Sequence, residues 1–124
     1  MVKEALLVGA GGFAGSIARY LISAVMIGSQ TSHFIPWGTF TVNAVGSLLI
    51  GILLSVFSPA GTLYFLCIAG FCGGFTTFSA FSADLLAMLR AAQYLQSAVY
   101  IAASVAICLL AVWAGFHLGE KFIK

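Results

Sequence analysis

Residues 70–81, which read G-F-C-G-G-F-T-T-F-S-A-F, interrupt an otherwise apolar segment with glycines, hydroxyl side chains and phenylalanines. Glycine lowers helix stability, and hydroxyl groups compete for the hydrogen bonds of the backbone, so this stretch is predicted to break a membrane helix. Broken backbone at membrane depth persists only where protein buries it or where it lines an aqueous path. We therefore predict that the stretch is a functional site.

The composition predicts the membrane context. The chain has 124 residues, of which 62% are hydrophobic and 6% charged, and its mean hydropathy is +1.14. Soluble domains carry roughly 25% charged residues. At roughly 20 apolar residues per span, the length allows four membrane helices. We predict an all-α membrane protein with one domain, residues 1–124, and helices at about 5–27, 37–57, 62–90 and 95–118.

Several classes of function are disfavoured. The net charge of +2 arises from a few scattered residues, so a nucleic-acid partner is not expected. The three cysteines lie in apolar runs without a C-x-x-C pair, which argues against a disulfide framework or a cysteine metal site. The sequence offers no nucleophile with a base partner and no phosphate-binding loop, so we predict that the protein is not an enzyme.

Two polar residues lie well inside the first and second predicted helices. Arg19 costs roughly 2.5–3.5 kcal/mol on insertion scales unless it reaches the interface or finds a partner. It either extends to the interface or attracts anions towards a vestibule. Asn43 lies roughly two turns into the second helix, and its amide needs partners there. It either forms an interhelical hydrogen bond or lines a pore as a donor.

A break near residues 73–76 would expose carbonyl groups at the end of one half-helix and N–H groups at the start of the next. Carbonyls suit a hard monovalent cation, whereas a helix N-terminus attracts an anion. Thr77 and Ser79 place hydroxyls beside the second half-helix. Phe78 and Phe81 share a face at i, i+3 spacing. Aromatic edges are electropositive, so two edges directed at one position contact a small anion; the alternative is that both rings simply pack.

The fourth predicted helix carries a polar stripe made of Ser97, Tyr100, Ser104 and Cys108. Together with Asn43, this stripe forms a predicted hydrogen-bonding track without formal charge. Asp84 precedes the stripe in the sequence, and an unpaired carboxylate at depth is costly. We therefore expect Asp84 to lie near the surface or to be paired.

The charges at the two ends of the predicted helices differ little. Lys3, Lys121 and Lys124 lie on one side of the predicted membrane, while Arg90 and Arg19 are assigned to the other. This weak asymmetry leaves room for insertion in both orientations. Four helices are too few to enclose a path and also face lipid, so we expect a homo-oligomer. Two oppositely oriented copies would build an inverted repeat. The loop residue His33 is expected to be solvated.

Three motifs resemble those of the Fluc (CrcB) fluoride channels: G-G-F-A-G-S-I-A-R-Y at 11–20, G-T-F-T-V-N-A-V-G at 38–46 and G-F-C-G-G-F-T-T-F-S-A-F-S-A-D at 70–84. The resemblance covers nearly the whole chain in order, and the third motif is highly specific. Two positions depart from the family pattern: Ala80 stands where threonine is common, and Asp84 where glutamate is common.

The resemblance implies an antiparallel, dual-topology homodimer with two fluoride pores, located in the bacterial inner membrane and exporting toxic fluoride passively. It also implies a structural sodium ion held by the carbonyls of Gly73 and Thr76. By the same resemblance, Arg19 takes the vestibule position. The implied fluoride pore consists of Asn43, Thr77, Phe78, Ser79, Phe81, Tyr100 and Ser104.

Two alternatives remain open from the residues. A small four-helix, dual-topology multidrug or cation transporter coupled to protons would need an ionisable residue at midmembrane. Glu4 and Glu120 are near the termini and Asp84 is not central in the predicted spans, which argues against it. A purely structural subunit would explain small-residue faces but not the glycine-rich break.

Overall fold

The computed structural model describes residues 1–29 and 35–123, and every regular element within them is helical. His33 and Lys124 lie outside the described residues. In chain order the elements are α1 (Val2–Ser29), α2 (Trp37–Val56), a π-helix (Tyr64–Cys72), α3 (Gly73–Phe75), α4 (Phe78–Arg90) and α5 (Tyr94–Phe122). Among the described residues, four segments are long and apolar enough to cross a membrane, as predicted: Val2–Met26, Trp37–Val56, Tyr64–Arg90 and Tyr94–Phe122.

The last helix is longer than the sequence indicates. The apolar pattern predicts an end near residue 118, but α5 continues through Phe122. Gly119 packs against Ser55 of α2. This contact places the last turn on a neighbouring helix, so the backbone continues as a helix although its outer side chains are charged.

Glycines set the distance between α1 and the first half of the third span. A Cβ atom on Gly11 would overlap the carbonyl oxygen of Leu66, and one on Gly15 would overlap that of Phe71. From the opposite side, a Cβ atom on Gly70 or Gly74 would also come closer than 3.0 Å to carbonyl oxygens of α1. Small residues allow membrane helices to approach until their backbones touch. Gly11 and Gly15 therefore allow α1 to pack directly against the backbone of the third span.

The π-helix is not predicted by the sequence. Nine consecutive residues form i→i+5 turns where the apolar pattern suggests an ordinary helix. Such stretches are rare and occur often beside functional sites. Here the wider turn immediately precedes the break in the third span.

The break begins at the last residue of the predicted stretch, residues 73–76, and extends one residue beyond it. Gly73 and Gly74 are helical, whereas Thr76 (φ −86°, ψ 156°) and Thr77 (φ −151°, ψ 115°) are extended. The glycine-rich stretch was expected to break the helix through low helix propensity. Instead, Gly70 and Gly74 are used for close packing, and the two threonines interrupt the helix.

Candidate functional site

Asn43 of α2 holds the break from the side. Its Oδ1 atom accepts a hydrogen bond from the backbone N–H of Thr77 at 2.7 Å, and its Nδ2 group donates to the Thr77 carbonyl at 3.1 Å. One amide side chain thus satisfies both backbone groups of an extended residue. This is the interhelical hydrogen bond that the sequence offered as one interpretation of Asn43.

At the break, two backbone N–H groups bond to side-chain oxygens instead of to the carbonyls that they would reach in a continuous helix. The Thr77 N–H would normally reach the Gly73 carbonyl, but it donates to Asn43. The Ala80 N–H would normally reach the Thr76 carbonyl, but it donates to Oγ1 of Thr77 at 3.1 Å. Thr77 is therefore the N-cap of α4. Both carbonyls named as sodium ligands lose the i+4 donor of an unbroken helix.

Arg19 approaches the same break from α1. Its Nε group donates to the Gly74 carbonyl at 3.0 Å, and the residue is partly buried. A cation at the C-terminal end of a helix is stabilised by the helix dipole. The guanidinium therefore has a partner inside the protein, which offsets part of the cost of placing it in a membrane helix. Its predicted vestibule role remains a prediction.

A cavity of about 360 Å³ lies beside the break. It brings together five of the predicted pore residues from three helical segments, together with two small polar residues that lie one turn further along. We call it the central cavity. The residues named are Asn43, Thr77, Phe78, Phe81 and Ser104, with Ser47 and Cys108.

The two phenylalanines differ in environment. Phe78 is 82% exposed and Phe81 only 8%. Their ring centroids are 5.7 Å apart and the planes are inclined by 22°, so the faces are turned towards each other. An anion between the rings would meet electronegative faces, whereas one beside the pair would meet two electropositive edges. The predicted convergence of edges therefore requires a position beside the stack.

The remaining predicted pore residues lie around the cavity rather than along its wall. Tyr100 is fully buried, with its ring centroid 4.9 Å from that of Phe81. Its hydroxyl donates to Oδ2 of Asp84 at 3.1 Å, so the carboxylate is paired. Ser79 is exposed, and its hydroxyl lies 3.1 Å from that of Thr77.

The serines of the predicted stripe are not equivalent. Ser97 donates back to the Gln93 carbonyl at 2.8 Å, as serines in membrane helices usually do. The Ser104 hydroxyl has no hydrogen-bond partner within residues 1–29 and 35–123, and it lines the central cavity. Ser104 is therefore available to a ligand, whereas Ser97 is occupied.

A second cavity, of about 340 Å³, lies where α2 begins and α4 ends. We call it the outer cavity. Asp84, Thr39 and Gln93 contribute polar groups to it, while Trp37 and Met88 are among its apolar residues. The sequence did not predict the outer cavity. It also did not predict that Asp84 pairs with Tyr100. The signal available was only that a carboxylate so placed needs a partner.

Side chains do not offer a site for a multivalent metal in the described part of the chain. No three His, Cys, Asp or Glu residues within it come together as a possible metal site. Gly73 and Thr76 carry the carbonyl oxygens that the break deprives of helical donors.

The sequence matches a known family over most of its length. The family model described as CrcB-like protein, Camphor Resistance (CrcB), matches residues 6–116. A protein from Rhizobium meliloti is 44% identical over 128 residues, covering 98% of this chain and 100% of the relative. One from Bacteroides fragilis is 41% identical over 127 residues, covering 98% and 99%.

A relative from Elusimicrobium minutum is 40% identical over 122 residues, covering 97% of this chain and 96% of its own. All three relatives bear the name fluoride-specific ion channel FluC. Four helices of membrane-spanning length, in a chain so similar to bacterial ion channels, identify a multi-pass bacterial membrane protein. By the extent of the family match and of these identities, the chain belongs to the CrcB-like family.

Proposed function

We propose that this protein is a fluoride channel that lets cytoplasmic fluoride leave passively across the bacterial inner membrane. Its relatives are named as fluoride-specific ion channels and not as enzymes. The observation that carries the proposal is the central cavity, where Asn43, Ser104 and the Phe78–Phe81 pair meet. Membership of the family supports fluoride as the transported ion. The central cavity supports a conduction path for it.

The lining of the central cavity suits a small, strongly hydrated anion. The amide of Asn43 has two N–H donors, and one of them is used on Thr77. The second N–H and the Ser104 hydroxyl are uncharged donors, and the phenyl edges add electropositive surface. Such groups replace hydration water without the strong binding of a fixed charge, which would slow release.

The described residues that line the central cavity include no carboxylate, imidazole or ammonium group. A proton-coupled cation transporter needs such a group to bind proton and substrate in turn. Asp84 lies at the outer cavity, where it accepts a hydrogen bond from Tyr100. This arrangement favours the channel over the transporter.

We also propose that the working unit is an antiparallel, dual-topology homodimer with two pores. Two features of the single chain support this. Phe78 is 82% exposed although it lines the cavity. Gly73 is exposed, and a Cβ atom there would meet nothing within 4 Å. A second copy placed over this side of the break would cover both and complete the wall of the cavity.

The proposed structural sodium would lie on the same open side. The carbonyls of Gly73 and Thr76 are oxygen donors of the kind that hard monovalent cations prefer. Both have lost the i+4 donor of a continuous helix. Gly73 has no side chain, and the space beside it is open, so the approach is not blocked. When bound, the ion would supply positive charge that holds the two breaks together.

Fluoride efflux from liposomes, followed with an ion-selective electrode, tests the channel. We expect rapid fluoride release and negligible release from chloride-loaded vesicles. Phe78→Ile should abolish or greatly slow release because it removes one aromatic edge. Phe13→Ile is the matched control, because Phe13 is 72% exposed on α1 and does not line the cavity. No release from folded wild-type protein would rule out the channel.

Orientation and sodium need separate measurements. Single cysteines accessible at one terminus, labelled from either side of intact membranes, should react from both sides if both orientations insert. Labelling from one side alone would exclude dual topology.

Replacing sodium with a large organic cation should lower the stability of the dimer in detergent, and Gly73→Ala should remove this dependence on sodium. An unchanged stability without sodium would exclude a structural ion.

A further inference from the structure

Ser104 and Cys108 lie one turn apart on α5, and both line the central cavity. Only 9% of Ser104 is exposed, yet its hydroxyl has no hydrogen-bond partner in the described part of the chain. Other helical serines donate to a carbonyl three or four residues earlier: Ser16, Ser55, Ser82 and Ser97. A hydroxyl that is so deeply buried without a partner indicates that a ligand in the cavity completes its bonding.

The Cys108 thiol is the soft donor of the central cavity. Among the described residues that line it, the other side chains offer amide, hydroxyl, aromatic and aliphatic groups. Cys108 is a free cysteine and is partly exposed. A thiol is a weak hydrogen-bond donor, so it adds little for fluoride. Deprotonated sulfur, in contrast, is a strong ligand for soft metal cations.

The central cavity ends beside Cys108. One turn further along, α2 and α5 touch: a Cβ atom on Gly51 would overlap the Val112 carbonyl oxygen, and one on Gly115 would overlap that of Leu48. Small residues allow such backbone contact between membrane helices. A group bound to the sulfur therefore occupies the end of the cavity where the two helices converge.

The surroundings of the thiol limit the charge of a bound cation. No three His, Cys, Asp or Glu residues come together within residues 1–29 and 35–123, so a divalent cation on one thiolate would keep uncompensated positive charge. Such charge is costly in a membrane-spanning segment. A monovalent cation and one thiolate form a neutral pair. Among metal ions, thiolates favour soft cations such as Cu⁺, and Ag⁺ has the same charge and similar softness.

We propose that Cys108 and Ser104 form a binding site for a soft monovalent cation of the class of Cu⁺ and Ag⁺, and that the bound cation blocks the central cavity. On binding, the S–H bond breaks, its proton passes to water, and a sulfur electron pair forms the bond to the metal without oxidation or reduction. The Ser104 oxygen supplies a lone pair as second ligand. The blocking effect rests on the proposed fluoride conduction.

Binding of Ag⁺ to the purified full-length protein in chloride-free detergent solution, followed by calorimetry, tests the site. The tightest equivalent of Ag⁺ should be lost in Cys108→Ser, and in wild type its binding should release one proton per cation. Cys67→Ser is the matched control, because Cys67 is also free and partly exposed but does not line the cavity. Retention of the tightest equivalent in Cys108→Ser would overturn the proposal.

The role of Ser104 is tested by the same calorimetry. Ser104→Ala should raise the Kd for Ag⁺ about two- to tenfold, as expected for loss of one polar contact. Ser97→Ala on the same helix should change the Kd less than about twofold, because the Ser97 hydroxyl already donates to the Gln93 carbonyl. Equal shifts for the two variants would overturn Ser104 as a ligand.

Fluoride efflux from liposomes with Ag⁺ on both sides tests the block, each variant being compared with its own rate without Ag⁺. At Ag⁺ about tenfold above Kd, about nine in ten sites are filled, so efflux from wild type and Cys67→Ser should slow about tenfold. Cys108→Ser should keep most of its own rate, and excess dithiothreitol should restore the wild type. Unchanged efflux from wild type that binds Ag⁺ would overturn the block. Wild type that releases no fluoride would instead overturn the proposed function, while calorimetry still decides the cation site.

Discussion

Gly73 and Gly74 are neighbours in one motif and have opposite surroundings. A Cβ atom on Gly74 would lie 2.7 Å from the Gly12 carbonyl oxygen of α1, whereas one on Gly73 would meet nothing within 4 Å. One side of the third span is thus packed backbone to backbone, and the other is open. The difference shows that glycine here serves a close contact on one face and leaves an approach to the break on the other.

Among the substitutions considered, Gly11→Ala on the packed side should lower the free energy of unfolding most. The added methyl group would overlap the Leu66 carbonyl, which cannot move without displacing the helix. We expect a loss of about 3 kcal/mol or more in the free energy of unfolding, at the upper end of overpacking effects. Titration with denaturing detergent in mixed micelles measures it. Gly9→Ala on the same helix is the control, since nothing lies within 4 Å of that position.

The break itself is tested by Asn43→Ala. This change removes both hydrogen bonds to Thr77 and leaves an N–H and a carbonyl without them. We expect a loss of about 2–4 kcal/mol in stability, because each unsatisfied backbone group costs about 1–3 kcal/mol. The same detergent titration applies. Ser47→Ala, which changes the same cavity one turn away, should cost less than about 0.5 kcal/mol. Equal losses would show that Asn43 does not hold the break.

The turn between α4 and α5 reverses the comparison, because there the backbone favours glycine and the sequence has alanine. Ala92 has φ 58°, and the Gln93 N–H donates to the Met88 carbonyl at 2.9 Å, as in a Schellman ending. Ala92→Gly should therefore stabilise the fold by about 1 kcal/mol. Ala91→Gly is the control, since φ is −86° there. A gain from Ala91→Gly alone would contradict this explanation.

The smallest effect on the folded chain is expected for Gly73→Ala. The methyl group enters open space, and alanine is a better helix former, so stability of the monomer should stay within about 1 kcal/mol of wild type. Unfolding at protein concentrations below dimer formation measures this. A loss as large as that of Gly11→Ala would show that the open face is packed after all. A defect seen only in the dimer would locate Gly73 at the interface between copies.

Much of the architecture was predictable because it depends on local composition. Four apolar runs of sufficient length predict four spans, and the mixture of glycine and hydroxyl residues predicts a broken third helix. The exact position of the break was not predictable. It depends on the bonds from Asn43 to Thr77, and these residues are 34 positions apart.

The sequence named several residues that the structure brings together, but not how they are arranged. Asn43, Phe78, Phe81 and Ser104 were named from the sequence, and they line one cavity. The bond between Tyr100 and Asp84 was not predicted, and neither was the contact of Arg19 with Gly74. Each of these joins different helices, so no spacing along the chain reveals it.

The sequence by itself determined that this is a four-span membrane protein of the CrcB-like family, because hydropathy and motif content are properties of residues in order. Only the tertiary structure decided which glycine is packed and which is open, which carbonyls lose their donors, and which acceptor holds the Tyr100 proton. Those outcomes depend on distances of a few ångströms between helices, and such distances are set by how the whole chain packs.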